Sequence, residues 1–558
     1  MVTFIILISC IFLLLFLTPK LSIGRVLYTE AFVPEFQVYR SLIKRDLKDV
    51  PVKIEIVYRK LYKIKVFRIF KPLFDLLPSV YEVKPNKNGL FFFWAYPFDI
   101  VNIIVGKHQI RETYTLRHRV KDFAPKYITF IYAIVHLFFP VLLHEECIEI
   151  PTTLGKTCGY ADKISLLPGE ELNLMISTGS NAFSIELLRV GKDLQKIDEV
   201  RNIEGTYQGI DTKFPSALGC GWKPTMRYKI PDSVPSGCYL IKLVGDRGDD
   251  NSFIPVIVKP EKPGTQIAVI ASTNTWHAYN SWGGQNFYIN FTSFPSKYIL
   301  NTQRPFDLYL RNPVEETCQI TRDHLLVGER LIWAWLEREG FHYDLYSDID
   351  LHSQEVFDQY LKQYKIILIS THNEYWSYTM IDHLKEYIKN GGNVVSLSGN
   401  TIYKEVRFYG QSLIVLDGAY LRYQGFREEA VLGVAHDLRG FKTWAPYKVI
   451  QSDHWVFENT HLKNGDFIGK DGLNVSPEGV PGASGWETDK IYPGSPQKAV
   501  LLAKGINSGD GGANMVIYEE SGRGSVFSVG SISFGGSLLV DDHISRITKN
   551  VINKFLKS

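Results

Sequence analysis

Along residues 265–400 two apolar patterns alternate. Short runs rich in β-branched residues read as strands buried on both faces: Gln266-Ile-Ala-Val-Ile-Ala-Ser272, Tyr364-Lys-Ile-Ile-Leu-Ile-Ser370 and Asn393-Val-Val-Ser-Leu-Ser398. Amphipathic helices are expected over about 322–338, 353–363 and 379–389, the last closed by Gly391-Gly392, with a further strand near 343–346. Strand 525–530 and helix 543–556 close the series. This order predicts an α/β domain over 265–558 built on a doubly wound parallel sheet. The stretch 404–535, with short strands and many Gly and Pro, reads as a β region inserted into it.

Upstream the pattern changes. Residues 145–260 carry short strand-like runs, at 163–167, 171–177, 183–189, 237–244 and 252–258, divided by turns such as Pro168-Gly169 and Pro235-Ser-Gly237. That spacing predicts a β-sandwich, and Lys259-Pro-Glu-Lys-Pro-Gly264 reads as a linker. Residues 20–126 are basic and aromatic-rich; 52–58 and 62–67 alternate as strands or amphipathic surface pieces do. Residues 4–17 are almost wholly apolar, with no basic residue before them, so 1–19 reads as an uncleaved anchor rather than a signal peptide. Residues 127–143 form a second candidate membrane helix, interrupted by His136 and Pro140.

Charge sharpens that division. The 558 residues carry a net charge of +3. Residues 20–126 hold 21 Lys and Arg against 10 Asp and Glu; residues 127–558 hold 41 against 49. Both apolar segments have their basic flank on the 20–126 side. The positive-inside rule then predicts a membrane protein with its sandwich and α/β domain on the non-cytoplasmic, or non-matrix, face. Membrane lipid is the expected partner, and with no nucleic-acid motif among the scattered basic residues none is expected for nucleic acid. Of six cysteines, none has metal-ligand spacing; Cys147 with Cys158 and Cys220 with Cys238 would pair as disulfides in an oxidising compartment, or stand as buried thiols. Asn290-Phe-Thr and Asn474-Val-Ser are glycosylation sequons.

The chemistry concentrates just past two of the expected strands. One loop reads Trp276-His-Ala-Tyr-Asn-Ser-Trp-Gly-Gly284, the other His372-Asn-Glu-Tyr-Trp-Ser377. Ligands of open α/β sheets bind beyond the carboxyl ends of parallel strands, so a phenol, imidazoles and a carboxylate are expected to meet in one crevice. His277 reads as a polar rim residue. Other chemistries are excluded: the turn Thr371-His-Asn-Glu374 lacks a Cys or Ser nucleophile, and there is no phosphate-binding loop, dinucleotide fingerprint or calcium loop.

At these loops the chain resembles the large (β) subunit of N,N-dimethylformamidase and the family sharing its carboxyl-terminal domain. The stretches that carry the resemblance are Tyr279-Asn-Ser-Trp-Gly-Gly284, His372-Asn-Glu-Tyr-Trp-Ser377, Ser398-Gly-Asn-Thr401, Gly485-Trp-Glu-Thr-Asp489 and Val526-Phe-Ser-Val-Gly-Ser-Ile-Ser533, and it extends over about 145–558. The resemblance implies a sheet like that of class I glutamine amidotransferases and a mononuclear iron held by two tyrosines and one glutamate. It assigns Tyr279 and Glu374 as ligands, His372 and Asn400 as groups that orient ligands or substrate, and Glu487 as a proton carrier. The second tyrosine falls on Gln303-Arg-Pro-Phe306, where a phenyl ring replaces the phenol; Tyr288, Tyr298 or Tyr309 would have to substitute. Phenolate and carboxylate are hard donors suited to an oxygen-seeking metal, and losing one of three would empty the site.

Two functions follow as expectations. The first is a membrane-anchored, iron-dependent amidohydrolase acting on a small amide. The second is a catalytically inactive descendant of the fold, serving as an accessory subunit of a membrane complex or as a homo-oligomer.

Overall fold

The computed structural model describes residues 157–558 except 211, 213, 246–251, 289–295, 297, 307–323, 411, 415–419 and 477, and before residue 157 essentially the backbone of strands. Residues 1–154 with 209–213 form one compact unit. In it, Leu90–Ala95, Lys20–Tyr28 and His144–Ile150 make one sheet, and Val80–Val83, Val52–Arg59, Asp99–Val105 and Glu112–Thr115 another. The run 62–67 and both apolar segments, 4–17 and 127–143, lie outside the described residues. Among the described residues no helix is long and apolar enough to cross a membrane, contrary to the expected membrane-spanning helices.

Residues 155–208 and 214–558 form the second unit. Its first part is a pair of β-sheets. Cys158–Ala161, Glu171–Ser177 and Met226–Lys229 form a three-stranded antiparallel sheet. Ser165–Leu166, Ser252–Val258, Gly237–Gly245, Ala182–Val190 and Leu194–Glu204 form a five-stranded one. Apolar residues from both, among them Leu174, Ile176, Ile185, Leu187, Ile241 and Val256, make one buried cluster. The opposite residues of the alternation, Leu188, Val190, Cys238 and Leu240, join the core of the following domain. Arg189 pairs with Glu337 at 2.9 Å and Lys259 with Asp350 at 2.7 Å, tying the two parts together. Cys220 and Cys238 are buried reduced thiols, so the second expected disulfide is not formed; the Cys147 side chain lies outside the described residues.

The central sheet has nine strands: β1 (Ile267–Ala271), β2 (Asp344–Ser347), β3 (Ile366–Thr371), β4 (Asn393–Ser398), β5 (Tyr447–Val449), β6 (Phe467–Ile468), β7 (Val500–Gly505), β8 (Asn514–Tyr518) and β9 (Val526–Ser528). Their order is β2-β1-β3-β4-β9-β8-β7-β5-β6. The first five pair in parallel, and every pairing from β9 to β6 is antiparallel. The expected doubly wound parallel α/β fold is therefore wrong. The unit is mostly β, with a mixed sheet, and the stretch 404–535 is no separate insertion: it supplies β5 to β9, which complete that sheet, beside short two-stranded pairings. The physical reason is that β5 and β6 are only two or three residues long, too short to show a period of two, while β7 is half-buried and β8 fully buried, runs that fit either direction.

Helices cover the sheet, and those at 326–338, 378–389 and 542–557 lie where amphipathic spacing placed them, whereas the one at 273–279 forms in a stretch read as a loop. The helices α1 (Thr273–Tyr279), α2 (Leu326–Arg338), α3 (Tyr378–Lys389) and α4 (Asp542–Lys557) are the principal ones. Helix α4 starts where Asp541 accepts from the Ile544 amide at 2.9 Å, a cap of about 1 kcal/mol. It buries Ile544, Ile547, Val551, Ile552 and Phe555. Asn474, in the second sequon, is 1% exposed and no glycosylation acceptor as folded; Asn290 lies outside the described residues.

Candidate metal centre

Helix α1 directly follows β1, and two buried acids set its position. Glu329 accepts from the Ser272 amide and from Trp276 Nε1 at 2.8 Å. Asp348 accepts from Thr273 Oγ1 at 2.5 Å and from the Asn274 amide at 3.0 Å. Burial pushes the Asp348 carboxyl up to about 7, partly offset by those donors, and pushes Glu329 well above the carboxylate range. Tyr279 ends the helix. The chain then reverses through Gly283 and Gly284, both with φ near +85° (85° and 84°), a conformation that costs glycine little. Asn286 donates to the Tyr279 carbonyl at 3.2 Å and accepts from the Tyr288 amide at 2.8 Å. Tyr288 is thus brought back beside Tyr279, with ring centroids 4.7 Å apart.

The segment that should have supplied the second tyrosine supports this loop from behind. Arg304 is fully buried and donates to the carbonyls of His277, Gln285 and Trp282. Phe306 packs on the His277 ring at 4.9 Å. His277 is 4% exposed, a core residue and not the rim residue expected; burial, with Arg304 nearby, drives its imidazole down to about 3.

On the neighbouring strand, β3 ends at Thr371, whose φ is +46°. The turn is fixed to β4 by the Gly399 amide on the Thr371 carbonyl and by His372 Nδ1 on the Gly399 carbonyl, each at 3.1 Å. The Glu374 amide donates to Thr275 Oγ1 at 3.1 Å, and its carbonyl accepts from the amides of Tyr403 and Lys404 at 3.0 Å. Tyr375–Trp376 then pairs in parallel with Lys404–Glu405.

These elements aim four groups at one carboxylate. Tyr279 Oη lies 3.1 Å from Glu374 Oε2; Tyr288 Oη lies 2.9 and 2.8 Å from its two oxygens. His372 Nε2 is 3.3 Å and Lys404 Nζ 3.3 Å away. Tyr375 Oη completes the ring at 2.9 Å from Tyr288 Oη. Glu374 is 1% exposed. Burial alone would raise its pKa, but the Lys404 ammonium, His372 and the Tyr288 hydrogen bond hold it below the usual carboxylate range. Tyr288 leaves 40% of its surface open, yet its hydroxyl end is desolvated. Burial first, and the Glu374 charge second, push both phenols well above their ordinary value. His372 is lowered by burial, but its hydrogen bond to Glu374 and the Glu487 charge raise it above the ordinary imidazole on balance.

Glu487 reaches the site from the far half of the sheet. Asn400 Nδ2 donates to its Oε2 at 2.7 Å, and His372 Nδ1 is 3.9 Å from that same oxygen. Gly399 permits the approach: a Cβ there would stand 2.8 Å from the Glu487 carbonyl. Behind them Asp489 accepts from the Asn400 amide at 2.8 Å, and burial raises it to about 7. Asn400, Ile402 and Trp486 join Thr371 at positive φ (52°, 56° and 65°), so strained backbone lines this crevice. The Trp486 ring lies 4.7 Å from His324, itself 4.8 Å from Tyr279 and 5.1 Å from His372.

The structure therefore brings Tyr279, Glu374, His372, Asn400 and Glu487 into one crevice. Of the substitutes for the missing tyrosine, Tyr288 is at the carboxylate, Tyr298 packs against an apolar cluster with Phe287 and Leu300, and Tyr309 lies outside the described residues. Lys404 was missed, and Tyr375, Trp486 and Asp489 lay in the quoted stretches with no role assigned. Only the nearness of Lys404 to Ser398-Gly-Asn-Thr401 hinted at its place. Among the described residues no cluster of three or more His, Cys, Asp or Glu has metal-ligating geometry, so any metal here would depend on the phenols. Two phenols, each within 3.1 Å of one carboxylate, are with it a set of hard oxygen donors that fits iron, whose charge would replace the phenolic protons that burial retains.

This fold and site define a class. Residues 189–546 match the family described as N,N-dimethylformamidase beta subunit-like, C-terminal, and the chain belongs to it. Among its relatives, the N,N-dimethylformamidase beta subunit of Alcaligenes sp is 23% identical over 435 residues, covering 61% of this chain and 55% of that one. The N,N-dimethylformamidase beta subunit of Paracoccus aminophilus is 23% identical over 432 residues, with the same coverage. The chain thus spans about half the length of these curated relatives. Among solved structures, the mmIFT52 N-terminal domain aligns at 13% identity over 41% of this chain and 90% of that one, with a TM-score of 0.23 that carries no inference.

Proposed function

We propose that the chain is an iron-dependent hydrolase of small carboxamides, with Tyr279, Tyr288 and Glu374 holding the metal. The observation that carries this reading is the convergence of both tyrosine hydroxyls on the buried Glu374 carboxylate, at 2.8 to 3.1 Å. The family and the names of its relatives support amide hydrolysis. When bound, the metal supplies Lewis acidity, polarising a carbonyl and making water more acidic.

The chain's own groups divide the remaining work. Glu487 takes a proton from the attacking water as its oxygen bonds to the carbonyl carbon. It returns that proton to the amine nitrogen as the C–N bond breaks, leaving a carboxylic acid and an amine. Asn400 holds Glu487 through Nδ2 and keeps its own Oδ1 buried with no partner, an acceptor free to orient substrate. His372, anchored on the Gly399 carbonyl, keeps Nε2 against Glu374 and Tyr279, at 3.3 and 3.4 Å. Trp486 and His324 wall off the crevice, which suits a small substrate. The relatives are named as subunits, which supports assembly with a further chain.

The test is iron content of the purified full-length chain by plasma mass spectrometry, read beside the visible phenolate-to-iron charge-transfer band and amine release from N,N-dimethylformamide. Near-stoichiometric iron with the band and with amine release is expected. Protein without iron after growth in ample iron would sink the reading.

A further inference from the structure

We propose that Lys404 is the resident counter-cation of this site: it holds Glu374 and the phenols together in the metal-free protein and competes with a metal ion for them. The inference rests on reading Tyr279, Tyr288 and Glu374 as the metal-binding set. Lys404 belongs to none of the stretches that define the resemblance to the family.

Its placement is built into the fold. The parallel pairing of Tyr375–Trp376 with Lys404–Glu405 sets Lys404 opposite Tyr375, one residue past Glu374. The Lys404 amide also donates to the Glu374 carbonyl at 3.0 Å, so main chain and side chain address the same residue. The ammonium is 3.3 Å from Glu374 Oε1 and 3.2 Å from Tyr288 Oη. It sits over the rings of Tyr288 at 4.4 Å, and of Tyr375 and Tyr420 at 5.5 Å each. Its side chain is only 15% exposed, so this is no surface ion pair in free exchange with water. Three aromatic faces and one carboxylate make a cage shaped for a cation.

The charge balance explains why such a cage is needed. A carboxylate 1% exposed, with two phenol hydroxyls against it, is costly to bury without a positive charge nearby. Lys404 supplies it without a metal. A metal ion held by the phenols and Glu374 would bring its own charge against the ammonium. The residue that stabilises the empty site therefore weakens the loaded one.

The experiment compares the wild-type chain with Lys404→Met and Lys404→Arg, all full-length and freed of metal by chelator dialysis. Thermal unfolding is measured first. Lys404→Met is expected to lower the midpoint by about 5 °C, because breaking one side of a buried ion pair is costly, while Lys404→Arg retains it. If Lys404→Met does not fold without metal, folding of Lys404→Arg carries the same meaning. Anaerobic equilibrium dialysis with ferrous iron follows. Lys404→Met is expected to bind iron about tenfold more tightly, the equivalent of about 1.4 kcal/mol of repulsion removed, and Lys404→Arg no more tightly than wild type. Unfolding of Lys404→Met at the wild-type midpoint overturns the counter-cation, and iron affinity equal to or below wild type overturns the competition. If no variant binds iron, the metal reading fails and the competition with it; the midpoints alone then decide the counter-cation.

Discussion

The two halves of the central sheet bring residues to the same crevice by different means. The parallel half places Tyr279 after β1, Glu374 after β3 and Asn400 after β4, each a few residues beyond a buried strand. The antiparallel half delivers Glu487 from an irregular stretch between β6 and β7, held by the pairings of Trp444–Ala445 with Ser484–Gly485 and of Ala435–Asp437 with Thr488–Lys490. In the first half, position follows from strand order, because ligand-binding residues gather at the carboxyl ends of parallel strands. In the second it depends on close backbone approach, at Gly399, and on strained backbone, at Trp486. The lesson is a division of labour: under the proposed function, the regular half gathers the metal-binding donors and the irregular half adds the proton carrier.

Substitutions can break that division. The largest effect is expected from Glu374→Ala, which removes the anion on which both phenols converge; iron content should fall below about a tenth of wild type, with amide hydrolysis at background, by plasma mass spectrometry and amine release. Next comes Tyr288→Phe, expected to weaken iron binding about 10²–10³-fold, roughly one ligand's share of a site's affinity, and to shift or remove the visible band. If Tyr288→Phe keeps the iron and the band, the second ligand lies elsewhere. Glu487→Gln should separate the halves: iron stays bound while the hydrolysis rate falls about 10²-fold, the loss of a general acid–base. Loss of iron in that variant would show that the halves are not independent.

A smaller effect reports on the loop support. His277 has its imidazole pushed down to about 3 by burial, far below the unfolded value. A depressed folded pKa gives stability that is present above about 6.5 and lost as pH falls toward 3. The protein should lose about 2 kcal/mol between pH 7 and pH 5 on this account, and urea denaturation of His277→Gln should show that slope flattened. The smallest effect is expected at Tyr298, whose replacement by Phe should change stability by about 0.5 kcal/mol or less and leave iron content alone.

Much of the site was legible because its residues sit beside strong signals. Tyr279 and Glu374 each follow an apolar run, and the motifs around them are specific enough to carry a family resemblance. Tyr288 was visible only as one of three tyrosines, since nothing local says that Gly283 and Gly284 turn the chain back by the right amount. Phe306 misled for the converse reason: it stands where the resemblance places a tyrosine, yet its partner is His277. Lys404 carried no sign of burial, because a lysine beside an apolar stretch more often lies in solvent.

By itself the amino-acid pattern determined the parallel strands, the helices that cover them and the neighbourhood of the site, since hydrophobic periodicity and chain reversal are local properties. Only the tertiary structure decided that 435–520 extends the same sheet in antiparallel fashion. It also decided that Tyr288 supplies the second hydroxyl and that Lys404 is caged over Glu374. The sheet extension depends on the pairing of β5 with β7, residues 54 to 58 positions apart, and the other two on contacts between residues 29 to more than 100 positions apart. Such contacts form only when the whole core is buried, and no short window of sequence contains them.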